Sequence, residues 1–124
     1  MYTYKAKILR VIDGDTVEAV VDLGLTTYTK EHLRLYDIDC PELFRPSCAA
    51  EKEHAREAKA FVENLVLGKD VLIRTFKDKT GKYGRYIADI LLESTEEGGV
   101  ITLTDALKVN GFEKKETYEP DPEV

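Results

Sequence analysis

"VIDGDTVEAVVDLG", Val11 to Gly24, contains two strands and the turn between them, and its parity decides how the rest of the chain folds. Asp-Gly between β-branched runs is a short-range hairpin signal, so Asp13-Gly14 is expected to make the bend. After it, Val17, Ala19 and Val21 alternate with Thr16, Glu18, Val20 and Asp22, the pattern of a strand with one buried face. Carried backwards, the buried row reaches Asp15 and not Asp13. A carboxylate in line with a core row needs a partner, because burying an unpaired charge is costly. Asp13 falls where aspartate bonds to its own turn. Two readings of the pair stay open on spacing alone: a tight turn, or half of a metal site with Asp15 as the ligand.

The flanking segments continue the strand pattern. Residues 4–12 read as a first strand, with Ala6, Ile8, Val11 and Ile12 apolar. Residues 26–36 form a third, in which Leu33 and Leu35 face one way while His32, Arg34 and Tyr36 face the other. The loop "PELFRPS" leads into a helix from about Ala49 to Leu67, with Ala58, Phe61, Val62, Leu65 and Val66 at helical spacing. Ser47 suits its N-cap and Gly68 its C′ position. Residues 70–76 and 85–92 are two more strands, joined by the polar loop "KDKTGKYG". A short helix, Asp105 to Asn110, follows with Thr104 as cap and Gly111 as stop.

That order gives a mainly β fold with helices (α+β): a five-stranded OB-fold barrel with one long helix after strand three and a short C-terminal helix. Residues 1–112 make this domain. Residues 113–124 form an acidic tail with two prolines, expected to fray.

Composition narrows the function. The 124 residues suit one domain with its own core. No apolar run approaches the ~20 residues of a membrane span, so no membrane partner is expected. The start has no apolar h-region, which points to a cytoplasmic protein, a secreted mature form being the other reading. Cys40 and Cys48 do not make a disulfide framework and are expected as free thiols. The formal net charge of −6 means that phosphate binding must rest on a few placed cations.

Two further clusters carry chemistry. In "RLYDIDCPE", Arg34 to Glu42, the carboxylates of Asp37, Asp39 and Glu42 follow an arginine at a strand end. Pro41 biases Cys40 toward an extended conformation, which could aim its carbonyl outward. Hard cations such as Ca²⁺ collect such oxygens; a solvated acidic loop is the other reading. In "KYGRYIADI", Lys82 to Ile90, Gly84 permits a sharp strand entry and leaves Arg85 at the strand's start. A guanidinium fork matches phosphate oxygens, although each arginine could instead pair with a surface acid.

Taken in order, "VIDGDTV", "RLYDIDCPE" and "KYGRYIA" resemble the staphylococcal nuclease (thermonuclease) family, over roughly Lys7 to Phe112. The helix after strand three and "ALKVNGF" also match that layout. The resemblance implies a Ca²⁺-dependent nuclease hydrolysing phosphodiester bonds of DNA or RNA with low sequence preference. In it Asp15 and Asp39 are the carboxylate ligands of Ca²⁺, with the Cys40 main-chain carbonyl a third oxygen. Glu42 is the general base or orients the attacking water, and Arg34 and Arg85 bind phosphate and stabilise the transition state. Lys82, Tyr83 and Tyr118 line the nucleotide site. The substrate partner is nucleic acid and the protein is expected as a monomer. A non-catalytic nucleic-acid- or protein-binding barrel is the alternative. The chain departs from the family in its acidity and in the cysteine where threonine is common.

Overall fold

The computed structural model describes residues 2–80, 85–92 and 100–122, without the side chains of 77–80. Its elements run β1 (Tyr2–Asp13), β2 (Thr16–Gly24), β3 (Thr27–Leu35), α1 (Ala49–Val66), β4 (Asp70–Thr80), β5 (Tyr86–Leu91) and α2 (Leu103–Val109). The strands close into a barrel in the order β1-β2-β3-β5-β4. Every ladder is antiparallel except β3–β5, which is parallel. This is the OB-fold expected from the element order. Its core takes Val17, Ala19 and Val21 from β2, Leu33 and Leu35 from β3, Ile73 and Ile90 from β4 and β5, and Val62 and Val66 from α1.

The first bend differs from its sequence reading. Asp13 pairs with Thr16, so the two-residue loop is Gly14-Asp15, not Asp13-Gly14. Neither residue has positive φ, which a primed hairpin turn would require. A register shift between Val11 and Asp13 supplies the change of direction. Glycine is needed at position 14 for space. A Cβ there would meet Cys40 Sγ at 2.9 Å and Ala58 Cβ at 3.0 Å. The hairpin loop is thus wedged against both the Cys40 segment and α1.

Helix boundaries follow the same logic of local chemistry corrected by packing. Cys48, not Ser47, stands at the N-cap of α1 and makes no side-chain cap. The work passes to two acids, one far along the chain and one in the helix's own first turn. Asp121 Oδ1 accepts the Ala49 N–H at 2.7 Å, and Glu51, one turn in, accepts the Ser47 N–H at 2.7 Å. Gly68 ends α1 with φ of 73° and donates its N–H to Ile8 O at 2.8 Å, which docks the helix end on β1.

Helix α2 begins earlier than expected, because Thr102 caps it by accepting the Asp105 N–H at 3.1 Å. Thr104, the expected cap, is buried and donates its hydroxyl to Tyr36 O instead. At the other end Gly111 N–H bonds to Lys108 O and Phe112 N–H to Leu107 O, a Schellman pair with glycine at φ of 80°. Strand β4 runs on to Thr80, into the segment read as a loop, because its pairing with β5 resumes at Thr80↔Tyr86.

Candidate active site

Register brings the site together. Thr16 on β2 pairs with Arg34 on β3, and Arg34 pairs in parallel with Ile87 on β5. Three ends meet at one mouth of the barrel: the Gly14-Asp15 loop, the end of β3, and Arg85 just before β5.

Asp15 is the fixed point. Its side chain is only 12% exposed, and it is held in place by several contacts. Asp15 Oδ2 accepts the Cys40 N–H at 2.9 Å, and Asp15 Oδ1 accepts the Thr16 hydroxyl at 3.1 Å. Arg34 Nη1 stands 3.4 Å from Oδ2. The Asp13 carboxylate accepts the Asp15 N–H at 3.1 Å, shaping the loop as the sequence suggested. Burial, with the Asp15 carboxylate alongside, raises the Asp13 carboxyl above the usual range.

Arg34 joins the two acids. Its Nη2 donates to Asp39 Oδ1, and its Nη1 donates to the carbonyls of Ile38 (3.0 Å) and Leu35 (3.2 Å). One guanidinium therefore lies against both Asp15 and Asp39. Asp39 itself is 81% exposed, so one carboxylate of the pair is buried and the other faces solvent. Arg85 enters through Thr16, donating from Nη1 to the hydroxyl oxygen at 3.3 Å. Thr16 is thus a relay between Arg85 and Asp15. The alternation that made Thr16 a strand residue gave no sign of this.

The Cys40 side chain faces the core, where burial and the Asp15 charge raise its thiol well above its ordinary value. What Cys40 offers the site is its backbone. Among the described hydrogen bonds none uses its carbonyl. Two carboxylates facing one cationic group, with a backbone carbonyl beside them, form an all-oxygen donor set that suits Ca²⁺. No group of three or more His, Cys, Asp or Glu converges as a metal cage among the described residues.

Glu42 has an exposed side chain and a tightly held backbone. Its N–H donates to Glu51 Oε2 at 3.0 Å. Glu51 is wholly buried and also faces Lys114 Nζ at 3.5 Å. Burial would raise its carboxyl, but the Ser47 and Glu42 amides and the Lys114 ammonium outweigh burial and hold it at about 2. Sequence reasoning missed Glu51. Its signal was a glutamate three residues after the N-cap, the acceptor half of a capping box.

The tail closes over the same loop. Lys114 N–H donates to Asp39 O at 2.7 Å. His54 Nε2 meets Gly111 O and Nδ1 meets the Tyr118 hydroxyl, both at 2.8 Å. A carbonyl only accepts, so Nε2 donates to Gly111 O, while the Tyr118 oxygen also accepts the Lys115 N–H at 3.0 Å. The described contacts of Tyr118 are with α1 and its own segment, and none is with Asp15, Arg34 or Arg85. Lys82 and Tyr83 lie outside the described residues.

Comparison with known proteins gives the same direction. The chain is 27% identical over 115 residues to a thermonuclease of Staphylococcus hyicus, covering 93% of this chain and 61% of that protein. It is 29% identical over 126 residues to an uncharacterized protein, MJ1439, of Methanocaldococcus jannaschii, covering 88% of this chain and 58% of that one. The chain therefore spans less than two thirds of either relative. Residues 32–119, from the end of β3 through the tail clasp, match the family described as staphylococcal nuclease homologue. With its nuclease-like barrel, the chain belongs to the staphylococcal nuclease family.

Proposed function

We propose that the protein is a Ca²⁺-dependent nuclease that hydrolyses phosphodiester bonds of DNA or RNA with little sequence preference. The observation that carries this reading is Arg34 seated between Asp15 and Asp39, with Arg85 tied in through Thr16. Two guanidinium groups beside a pair of oxygen ligands are what a phosphodiester needs as charge builds at phosphorus.

Asp15, Asp39 and the Cys40 carbonyl would hold the ion. Calcium bound there polarises a phosphoryl oxygen. Arg34 and Arg85 grip the non-bridging oxygens, where their forks supply paired donors. Glu42, exposed and anchored through its amide, takes a proton from the attacking water. The water oxygen bonds to phosphorus as the bond to the 5′ oxygen breaks; the 5′ oxygen leaves as a hydroxyl by taking a proton from solvent, and the phosphate stays on the 3′ oxygen. Because phosphate is held and bases are not read, selectivity for sequence is low.

The test is cleavage of single-stranded DNA and of RNA with Ca²⁺ or with a chelator. Cleavage that requires Ca²⁺ and falls in Glu42→Gln and Arg85→Lys is expected. Oligonucleotide binding without cleavage in either condition would replace this reading with a non-catalytic barrel.

A further inference from the structure

A chain of net charge −6 gathers several cations on the outer surface of β1–β2–β3. Residues on β3 that point away from the core fall in one line: Arg34, His32, Lys30 and Tyr28, opposite Thr16, Glu18, Val20 and Asp22 on β2. Arg10 on β1 flanks the line through its pairing with Glu18. The outward side chains recur about every 7 Å, so the line from Arg34 to Tyr28 is about 20 Å long.

Glu18 organises this face. It lies 3.6 Å from Arg10, 3.6 Å from Lys30 and 3.0 Å from His32, with its side chain only 16% exposed. Its hydrogen bond to His32, and then the charges of Lys30 and Arg10, lower its carboxyl below the ordinary value. One acid thus serves several cations, and Lys30 and Arg10 remain 63% exposed. At the far end Tyr28 is 61% exposed. It lines an open, mostly apolar groove with Val20, Asp22, Lys5 and Lys7, the two lysines standing on the neighbouring strand β1.

We propose that this face is a track for a single-stranded nucleic acid, with phosphates over Lys30 and Arg10 and a base stacked on Tyr28, leading along β3 to Arg34. Placed cations with an interleaved aromatic are the elements of sequence-tolerant strand binding. The face holds a strand of several nucleotides, within the roughly 4–16 that one OB barrel spans. The direction of the track rests on the nuclease reading, whereas the binding itself does not.

The test is fluorescence anisotropy with twelve-residue oligothymidylate and oligouridylate probes, in chelator so that nothing is cut, over a range of salt. Lys30→Gln combined with Arg10→Gln is expected to weaken binding and to reduce the slope of log K against log salt by about 1.4, at ~0.7 per lost phosphate contact. Tyr28→Ala is expected to lose about tenfold in affinity with the slope kept. Lys52→Gln on α1 removes the same charge elsewhere and is expected to change neither. If the double variant melts at room temperature, Lys30→Gln alone carries the test with a change of about 0.7. Absence of oligonucleotide binding by the wild type, or the wild-type slope and affinity in the variants, overturns the track. Binding that responds as expected, without cleavage once Ca²⁺ is added, keeps the track and ends the nuclease reading. Cleavage with an unchanged slope does the reverse.

Discussion

Two buried carboxylates, Asp15 and Glu51, grip the same loop from opposite sides, and they do so for different ends. Asp15 takes the amide of Cys40 and Glu51 takes the amide of Glu42. Glu51 then spends its remaining capacity on the Ser47 amide and the Lys114 ammonium, inside the protein. Asp15 instead faces a guanidinium and an exposed partner acid at the barrel mouth. The same residue chemistry thus builds a closed structural node in one place and an open site in the other. What separates them is where they face: Glu51 is wholly enclosed, whereas Asp15 stands beside an arginine that also reaches an exposed acid.

That contrast predicts a division between activity and stability. The largest effect is expected at the open node. Arg34→Lys keeps a positive charge near Asp15 but loses the fork, and should lower kcat by about 10²–10³ in a Ca²⁺-supported cleavage assay. Its melting temperature should stay close to wild type; a large drop would move Arg34 to the structural side of the comparison.

Next comes the closed node. Glu51→Gln should destabilise the fold by about 2 kcal/mol, because hydrogen bonds to a charged acceptor are replaced by neutral ones. Chemical denaturation measures it. The sign of the pH dependence follows from a carboxyl held at about 2 against an ordinary 4.5. Its stabilisation is fully present above pH 4.5, fades as the pH falls below that, and is gone below about 2. Wild type and Glu51→Gln should therefore converge in melting temperature as the medium is acidified from pH 6. A constant gap would mean that the glutamate acts by shape alone.

The smallest effect is expected at the tail. Asp121→Ala removes the acceptor at the first turn of α1, a loss of about 1 kcal/mol. Denaturant midpoints for the pair would show it, and no change would mean that water replaces the carboxylate.

Much of the barrel was legible because strand parity is local. Leu33 and Leu35 fell inward, and so did Val17, Ala19 and Val21, for the reason that a strand alternates. The glycine stops at Gly68 and Gly111 were legible because a left-handed residue after a helix is a property of that residue. Ambiguity began where two candidates competed. Thr102 and Thr104 could each cap α2, and burial of Thr104 against Tyr36 decided between them. The bend slipped to Gly14-Asp15 because a register shift in β1 cannot be read from alternation. Within the site, the side chains that end near one another were named from motif order, whereas the links between them were not. Thr16 and Lys114 act through residues far away in sequence, with nothing in their own neighbourhoods to announce it, whereas Glu51 carried a local capping signal that went unread.

One ladder of the barrel is unlike the rest. Strands β3 and β5 meet through three residue pairs, Leu33↔Tyr86, Arg34↔Ile87 and Leu35↔Ala88, and they run parallel. Parallel pairing is slightly weaker per residue than antiparallel, and this seam is also the shortest of the ladders among the described residues. The two arginines are stitched to opposite lips of it, Arg34 on β3 and Arg85 at the entry to β5. Asp15 travels with Arg34, because β2 and β3 are joined along most of their length. Breathing of the seam would then change the gap between the arginines while leaving acid and first arginine together. In the nuclease reading, barrel closure and phosphate grip would then be linked, and amide exchange at Tyr86 to Ala88 would report the closure.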